Sequence, residues 1–478
     1  MKNLKTIMIL VLLALLSAGC SIDDPTVAEL TPVVQPSGAA IFANYMAMGN
    51  SLTAGYMDGG LIDAGQLNSY PALIARQMGY PAGSFGQPLL NFPGVGSTDT
   101  GDPLAVAGVL HFTGTTAAPV GYTTGTSQAQ VLANVAALYD PSARAWLAPF
   151  SNLGVPGATT LDMTHAIDAV TAQGFDPATG EGANPYFNLV LRSSALGNST
   201  AVQQVIARGP TFLTMWIGNN DILGGATNGD PEIGVNLTPA TIFEQLYGDL
   251  LDTISNGINT RHGYRPLIVA ANIPSITSIP YFMTPATFNA MLAAATGGQI
   301  TEAVTVETDV QFFRFPGLGY IGGVLGAGGN PFPLPSEWTL TTNEVTTVEN
   351  LVVAFNGIIA TACAARQIPL YDANTNLAGL EPMEATHFLA LAGVIGPDAA
   401  AQTTLFSLDG VHPNNRGYGV VANGFLTTMN TALGTAFPLV DVDALVWDPT
   451  YGQTITAASD GGYTLAPEST KLVDAIFR

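Results

Sequence analysis

Charged side chains are scarce in this chain, and basic side chains are the scarcest. Only 10% of the residues are charged, and 13 Lys and Arg stand against 35 Asp and Glu, for a formal net charge of −22. Binding to nucleic acid depends on clustered positive charge that neutralises the backbone phosphates. Because no stretch of the sequence concentrates basic residues, nucleic acid is not an expected partner.

Long hydrophobic runs are also absent, apart from one at the N-terminus. Lys2 and Lys5 precede an unbroken apolar run at residues 7–16, and the small residues 17–19 then lead to Cys20. The run is too short to cross a bilayer, and its order is typical of a secretory signal peptide. A cysteine directly after the small residues resembles a bacterial lipoprotein signal, in which Cys20 becomes the lipidated first residue of the mature chain.

We therefore predict a signal peptide at residues 1–19 and a protein that lies outside the cytoplasm, anchored to a membrane by the lipid on Cys20. An ordinary secretory signal with a coincidental cysteine is the alternative. Asp23 and Asp24 resemble the acidic export tag of surface lipoproteins. The outer membrane or the cell surface is accordingly the expected location.

Cysteine is nearly absent, because Cys20 and Cys363 are the two in the chain. Once Cys20 carries a lipid, an intramolecular disulfide is impossible. Cys363 lies in an apolar stretch of helical character, and we predict that it is a buried free thiol rather than a nucleophile.

The composition along the chain predicts one large domain with short flanking segments. Residues 20–40 are rich in proline and have the composition of a tether. Residues 41–436 hold most of the apolar material, enough for a large core, and residues 437–478 form a C-terminal extension to which no role is assigned. Long insertions rich in Gly, Pro, Ala and Thr are predicted near residues 56–147, 160–208 and 281–343.

Five short apolar runs, each followed by Gly, Asn, Asp or Pro, alternate with segments of helical periodicity. The runs lie at residues 42–48, 149–153, 211–217, 267–271 and 368–371. Strands that alternate with helices predict a parallel sheet covered on both faces. The expected fold class is α/β, with a three-layer α/β/α architecture and a mostly parallel, flavodoxin-like sheet of about five strands. The polar residues at the carboxyl ends of these strands mark the expected position of a site.

Asp409 and His412 are three residues apart in the sequence Asp-Gly-Val-His. A carboxylate and an imidazole on one tight turn supply the orienting group and the base of a hydrolytic triad. Ser51 is the candidate nucleophile, because it follows a strand-like run and is bracketed by Gly49 and Gly55, which permit a sharp strand-to-helix turn. Taken alone, this short motif is also explained by a serine that caps a helix.

Four short motifs occur in order along the chain, at residues 49–53, 152–154, 218–221 and 409–413. Together they resemble the successive blocks of the SGNH (GDSL-type) hydrolase family, named for its Ser, Gly, Asn and His. The resemblance extends over the strand ends but not over the long insertions.

The resemblance implies that Ser51 is the nucleophile, His412 the general base, and Asp409 the group that orients His412. It also implies an oxyanion hole made by the N–H groups of Ser51 and Gly154 and by the side-chain amide of Asn220. No cofactor and no metal are implied.

The sequence departs from the family pattern at Asn50, where the family usually has Asp. Asparagine keeps the capacity for hydrogen bonds but lacks the negative charge. Because Asp409 rather than residue 50 is expected to pair with His412, activity is expected to survive.

The expected function is that of a serine esterase or lipase that hydrolyses carboxylic esters through an acyl-enzyme, with a small-molecule or lipid ester as substrate. The alternatives are a glycan O-deacetylase or an acyltransferase that uses the same triad, and a surface lipoprotein that binds glycan or lipid without catalysis. Aromatic residues of the third insertion are expected to line an acyl groove: Phe282, Phe288, Phe312, Phe313, Phe315 and Tyr320.

Two further patterns are not assigned a function. Residues 317–322 match the spacing of a dinucleotide-binding loop, but Pro316 separates them from the preceding strand-like run, so we predict a flexible loop. The remaining histidines lack partners at the spacing of metal ligands, so no metal site is predicted. They are His111, His165, His262 and His387.

Overall fold

The computed structural model describes residues 36–96, 108–112, 117–120, 138–180, 182–192, 196–378 and 404–451. The predicted signal peptide, the lipidation site at Cys20 and most of the tether lie outside the described residues. Parts of the first insertion, His387 and residues 452–478 also lie outside them.

A five-stranded parallel sheet forms the centre of the fold. Its strands are β1 (Tyr45–Gly49), β6 (Asn152–Gly154), β7 (Phe212–Trp216), β8 (Leu267–Ala271) and β12 (Leu370–Tyr371). They are arranged in the order β12-β8-β7-β1-β6, and every neighbouring pair is parallel. Each strand overlaps one of the five apolar runs of the sequence, so the predicted sheet is confirmed.

Helices cover both faces of this sheet. One face is covered by α3 (Tyr70–Gln77) and α14 (Asn415–Leu433), whose residues pack with Tyr45 and Trp216 of the sheet. The rings of Tyr70 and Phe425 stack there with centroids 4.7 Å apart. Because β1 and β7 are buried along their whole length, they are apolar on both faces, as central strands of a parallel sheet are.

The other face is covered by α7 (Ala201–Arg208), α9 (Ala240–His262) and α12 (Thr342–Ala365). The rings of Phe243 on α9 and Phe355 on α12 stack with centroids 3.7 Å apart. The two helical layers with the sheet between them make the three-layer α/β/α architecture expected from the sequence.

Helix α12 begins at a capping box, in which Thr341 and Glu344 each accept a hydrogen bond from the other's backbone N–H. Cys363 near its end is buried, and burial raises the pKa of this thiol to about 11. The predicted buried free thiol is therefore confirmed. Among the described residues α12 is the one helix long and apolar enough to cross a bilayer. Buried helices in the cores of globular proteins meet the same criteria of length and composition.

The connections contain shorter elements. The remaining strands are β2 (Gly60–Leu61), β3 (Val95–Gly96), β4 (Leu110–Phe112), β5 (Ala117–Pro119), β9 (Phe282–Met283), β10 (Val310–Arg314) and β11 (Thr339–Thr341). The remaining helices are α1 (Ser51–Ala54), α2 (Asp63–Gln66), α4 (Pro141–Ala145), α5 (Asp162–His165), α6 (Tyr186–Leu191), α8 (Asn220–Thr227), α10 (Pro285–Ala295), α11 (Pro316–Gly326) and α13 (Ala373–Ala378).

The insertion at residues 281–343 forms a small sheet of its own, and its buried residues join the main hydrophobic core. Strands β9, β10 and β11 form an antiparallel sheet against which α10 packs, and the rings of Phe288 and Phe313 stack 4.3 Å apart. Helix α11 occupies residues 317–322, so the predicted flexible loop is wrong. Pro316 begins the helix, where its missing N–H costs no hydrogen bond, and buried Ile321 anchors it.

The register of the central strands places three chain segments side by side at the carboxyl edge of the sheet. Gly49 at the end of β1 pairs with Trp216 at the end of β7 and with Gly154 at the end of β6. The loops that follow these strands therefore leave the sheet next to one another, which is where open α/β sheets bind their ligands.

Candidate active site

Ser51 is the first residue of the short helix α1, directly after β1. Gly49 has no room for a side chain, because a Cβ there would lie 2.2 Å from the carbonyl oxygen of Trp216. Gly55 ends the helix in the left-handed region with φ of 80°, which glycine adopts without steric cost. These two glycines make the sharp turn that holds Ser51 at the edge of the sheet.

Asn50 caps this helix. Its Oδ1 accepts a hydrogen bond from Leu52 N–H at 3.1 Å, and its Nδ2 donates to Oδ1 of Asn219 at 3.1 Å. An aspartate could accept the first bond but could not donate the second. The departure from the family pattern thus links the turn after β1 to the loop after β7 through a neutral pair of amides.

The structure brings Ser51, His412 and Asp409 into one hydrogen-bonded line. His412 Nε2 lies 2.9 Å from Ser51 Oγ, and His412 Nδ1 lies 3.0 Å from Asp409 Oδ2. All three side chains are buried, with 3% exposure or less. The first two residues are 361 positions apart in the sequence, so the fold creates this contact.

Asp409 is the acceptor at the end of the line. Its Oδ1 accepts from the N–H groups of Val411 and His412, and its Oδ2 accepts from Gly59 N–H as well as facing the imidazole. Burial alone would raise the pKa of Asp409, but the imidazole of His412 and the backbone donors outweigh it and hold this pKa below its ordinary value. Asp409 therefore stays ionised at neutral pH.

Asn220 begins helix α8 after β7 and faces the same cleft as Ser51. Its Nδ2 donates one hydrogen bond, to the carbonyl oxygen of Ala158 at 2.8 Å. Because the amide carries two N–H donors, this bond fixes the side chain and leaves the second N–H for a substrate oxygen.

Asp221 ties the loop after β6 to helix α8. Its Oδ2 accepts from the N–H and the hydroxyl of Thr160, both at 2.9 Å, and its Oδ1 accepts from the hydroxyl of Thr238 at 3.1 Å. Burial raises the pKa of Asp221 to about 6. These bonds hold the two loops that carry Asn220 and Ala158 in a fixed relation.

The assignment of Gly154 to the oxyanion hole is wrong. Its N–H donates to Oδ1 of Asn152 at 3.0 Å, so it is not available to a substrate. Its missing side chain serves packing, because a Cβ would lie 2.2 Å from the backbone nitrogen of Ala54 in α1. Gly154 lets β6 approach the helix that carries Ser51.

Gly157, three residues further on, was missed by the sequence analysis. It is partly exposed and has φ of 76°, and its N–H has no hydrogen-bond partner within the described part of the chain. The signal that could have found it is the run Gly154-Val-Pro-Gly157. A second glycine just after a strand end often marks a backbone turn in the left-handed region.

A cleft opens at Ser51 and His412 and has apolar walls. The apolar side chains that line it are Leu52, Trp216, Leu223, Ile276, Ile279, Leu377, Leu405, Phe406, Val411, Val420 and Val421. The aromatic residues of the third insertion are not among them, so the predicted origin of the groove is wrong. Phe288 and Phe313 pack against each other instead.

The histidines outside the triad take no part in the site where they are described. His165 Nδ1 lies 2.8 Å from the Thr164 hydroxyl at the surface. His262 Nε2 lies 2.8 Å from the carbonyl oxygen of Ile206. Within the described residues, no group of three potential metal ligands is found.

A family model for the GDSL-like Lipase/Acylhydrolase family matches residues 45–425. The match spans most of the chain, and the chain belongs to this family. It is an SGNH-type serine hydrolase, of a family that hydrolyses acyl esters. Comparison with curated proteins gave no match.

The packing role of Gly154 makes a testable prediction. We expect Gly154→Ala to lower the free energy of unfolding by about 1–3 kcal/mol, because the added Cβ meets backbone that cannot move aside. Urea unfolding followed by circular dichroism measures this change.

Gly357→Ala is the matched control. Gly357 lies on the exposed side of α12, and a Cβ there has nothing within 4 Å. We expect this change to raise the free energy of unfolding by about 0.5–1 kcal/mol, because alanine restricts the unfolded chain. A Gly154→Ala protein as stable as the wild type would contradict the packing role.

Proposed function

We propose that this protein is a lipid-anchored, extracytoplasmic esterase that hydrolyses carboxylic esters of apolar acyl groups through an acyl-enzyme on Ser51. The observation that carries the proposal is the line from Ser51 Oγ through His412 to Asp409, with contacts of 2.9 and 3.0 Å. The apolar cleft beside Ser51 supports the choice of acyl group. The leader that ends at Cys20 supports the lipid anchor.

In the first half-reaction, Ser51 Oγ attacks the ester carbonyl while His412 Nε2 takes its proton. The carbonyl oxygen becomes an oxyanion in a tetrahedral intermediate. Asp409 keeps the imidazole in the tautomer that accepts at Nε2 and stabilises the imidazolium that forms. When the intermediate collapses, His412 returns the proton to the leaving alcohol, and the acyl group stays on Ser51.

In the second half-reaction, water attacks the acyl-enzyme. His412 takes a proton from the water, and the second tetrahedral intermediate releases the carboxylic acid as Ser51 Oγ regains a proton from the imidazolium. The products are one alcohol and one carboxylic acid, and the enzyme returns to its starting state.

Three N–H groups are proposed to stabilise the oxyanion. Ser51 N–H is at the N-terminus of α1, where it has no hydrogen-bond partner among the described residues. Asn220 contributes its second amide N–H, and Gly157 takes the place first assigned to Gly154. A single donor of this kind contributes about 2.7–4 kcal/mol to transition-state stabilisation.

The walls of the cleft favour an apolar acyl group over an acetylated sugar. Trp216, Leu223 and Val421 face the cleft beside the polar groups that surround Ser51. Transfer of an acyl chain into such a site gains about 0.8 kcal/mol for each buried methylene. A glycan substrate needs many polar partners, which these residues do not offer.

The role of Ser51 gives the first functional prediction. We expect the full-length protein to hydrolyse p-nitrophenyl esters, and Ser51→Ala to lose this turnover by a factor of about 10⁴ or more, because Ser51 Oγ is the hydroxyl that lies 2.9 Å from His412 Nε2. Asp409→Asn is expected to lower kcat by about 10³–10⁴ while the protein stays folded, because an amide cannot hold the imidazole in the required tautomer.

Ser84→Ala is the control for these variants, because Ser84 is exposed and its hydroxyl donates to the nearby carbonyl oxygen of Pro81. It should match the wild type. Turnover that persists in Ser51→Ala would place the nucleophile elsewhere, and the proposed function would fail if the folded wild-type protein hydrolysed no ester in a series from acetyl to palmitoyl.

The cleft gives the second functional prediction. Val420 lies on α14 and lines the cleft while remaining partly exposed. We expect Val420→Trp to fill the cleft and to lower kcat/KM for octanoyl and longer esters at least about tenfold relative to the acetyl ester, because several methylenes lose their apolar contacts. The chain-length profile measures this ratio.

Thr427→Trp on the exposed side of the same helix controls for the added bulk. It should leave the profile unchanged, and Val420→Ala should keep the preference for longer chains. An unchanged profile in Val420→Trp would mean that the acyl group lies elsewhere.

A further inference from the structure

Asp58 is a fully buried carboxylate that lies directly behind the loop of the proposed catalytic pair. It has φ of 52°, in the left-handed region that few residues other than glycine adopt. Its Oδ1 accepts from Leu408 N–H at 2.8 Å, and its own N–H donates to Ser407 Oγ at 2.9 Å. Asp58 therefore accepts a hydrogen bond from one of the two residues that precede Asp409 and donates a hydrogen bond to the other.

The residue after Asp58 bonds Asp409 itself. Gly59 N–H donates to Asp409 Oδ2 at 2.9 Å, and the same oxygen faces His412 Nδ1 at 3.0 Å. Any rotation of the segment at residues 58–59 therefore changes the position of the oxygen that orients His412.

The second oxygen of Asp58 is held from the C-terminal extension. Asp58 Oδ2 accepts from Trp447 Nε1 at 2.9 Å and from the Tyr451 hydroxyl at 2.6 Å. These donors lie 389 and 393 positions further along the chain than Asp58. The Trp447 side chain is 1% exposed, so it belongs to the protein interior and does not make a surface contact.

The segment that carries these donors, residues 440–451, is itself fastened to the domain. Arg416 Nη2 pairs with Asp443 at 2.8 Å, and Asn415 Nδ2 donates to the carbonyl oxygen of Val446 at 2.7 Å. Phe112 N–H donates to the carbonyl oxygen of Pro449 at 2.6 Å. The first two bonds come from the start of α14, three residues after His412.

We propose that Asp58 is a positioning residue whose bonds to Trp447 and Tyr451 make the C-terminal segment a support for the Asp409–His412 pair. This inference rests on the proposed function. Neither Asp58 nor its two aromatic donors line the cleft, so they act on the geometry of the pair and not on substrate binding.

The electrostatics of the cluster agree with this role. Burial raises the pKa of Asp58 to about 7, and the hydrogen bonds from Tyr451, Leu408 and Trp447 act in the opposite direction. The other titratable groups that face the cluster are Asp409 and Tyr418, and Asp448 lies beside Tyr451. Near neutral pH the charge on Asp58 therefore depends on the donors of the C-terminal segment.

Tyr451→Phe, Trp447→Phe and Asp58→Asn in the full-length protein test the inference. We expect each variant to lower kcat about 10- to 100-fold with KM within twofold, because a small displacement of the base has an effect of this size. Asp58→Asn should also change the shape of the acid limb of the kcat/KM profile, because a carboxyl that titrates near pH 7 beside the pair is replaced by an amide that does not titrate. A merely structural role would not change that limb.

Tyr80→Phe is the matched control, because the Tyr80 hydroxyl, like that of Tyr451, donates a hydrogen bond of 2.6 Å, here to the backbone carbonyl oxygen of Phe42. It lies beside the amino end of β1, where its hydroxyl also accepts from Tyr45 N–H, and it should leave kcat and the pH profile unchanged. If the wild-type protein turns over esters and Tyr451→Phe has the same kcat and pH profile as the wild type, the inference is overturned. The proposed function then stays intact.

A readout that needs no substrate separates the two failures. The His412 Nδ1 proton shared with Asp409 should give a far-downfield proton NMR resonance that disappears in His412→Ala. We expect this resonance to shift or broaden in Tyr451→Phe and to stay unchanged in Tyr80→Phe. If no ester is turned over, a shifted resonance still supports the positioning role, and an unmoved resonance overturns it.

Discussion

The close approach of β6 to the turn after β1 is the constraint on which the site depends. Gly49 and Gly154 pair in the register, and a Cβ on either one would lie 2.2 Å from neighbouring backbone. Because both positions lack a side chain, helix α1 sits against the end of β6 and Ser51 is held at the carboxyl edge of the sheet. The loop of His412 reaches the same edge because α14 packs on the sheet immediately afterwards. The contact of 2.9 Å between the two side chains follows from these two packing arrangements.

Around this contact the polar groups are connected and the substrate cleft is apolar. Asn50 joins Asn219 through neutral amides, and Asp221 joins the loops that carry Gly157 and Asn220, so the proposed oxyanion donors are held before substrate binds. Preorganised donors of this kind stabilise a transition state without a cost of reorganisation. Asp409 supplies the charge that favours the imidazolium, and its complete burial keeps that charge from being screened by water.

Much of this could be predicted from the sequence, because short motifs at strand ends depend on local chemistry. The alternation of apolar runs and helical segments gave the parallel sheet, and the order of the four motifs gave Ser51, Asn220 and the Asp409–His412 pair as residues that meet at one edge. The failures have physical reasons. The side chain of Asn152 takes the N–H of Gly154, which no motif reveals. The phenylalanines of the third insertion pack on one another, and the support of Asp58 by Trp447 depends on a contact across 389 residues.

Covalent labelling of the folded, full-length protein with a fluorophosphonate, followed by peptide mass spectrometry, tests directly whether Ser51 is an activated nucleophile. This reagent phosphonylates a serine only where a neighbouring base activates it. We predict one adduct, on Ser51, and its loss in His412→Ala. An adduct on a different serine, or no adduct on a folded protein, would contradict the claim that the contact between Ser51 and His412 makes the nucleophile.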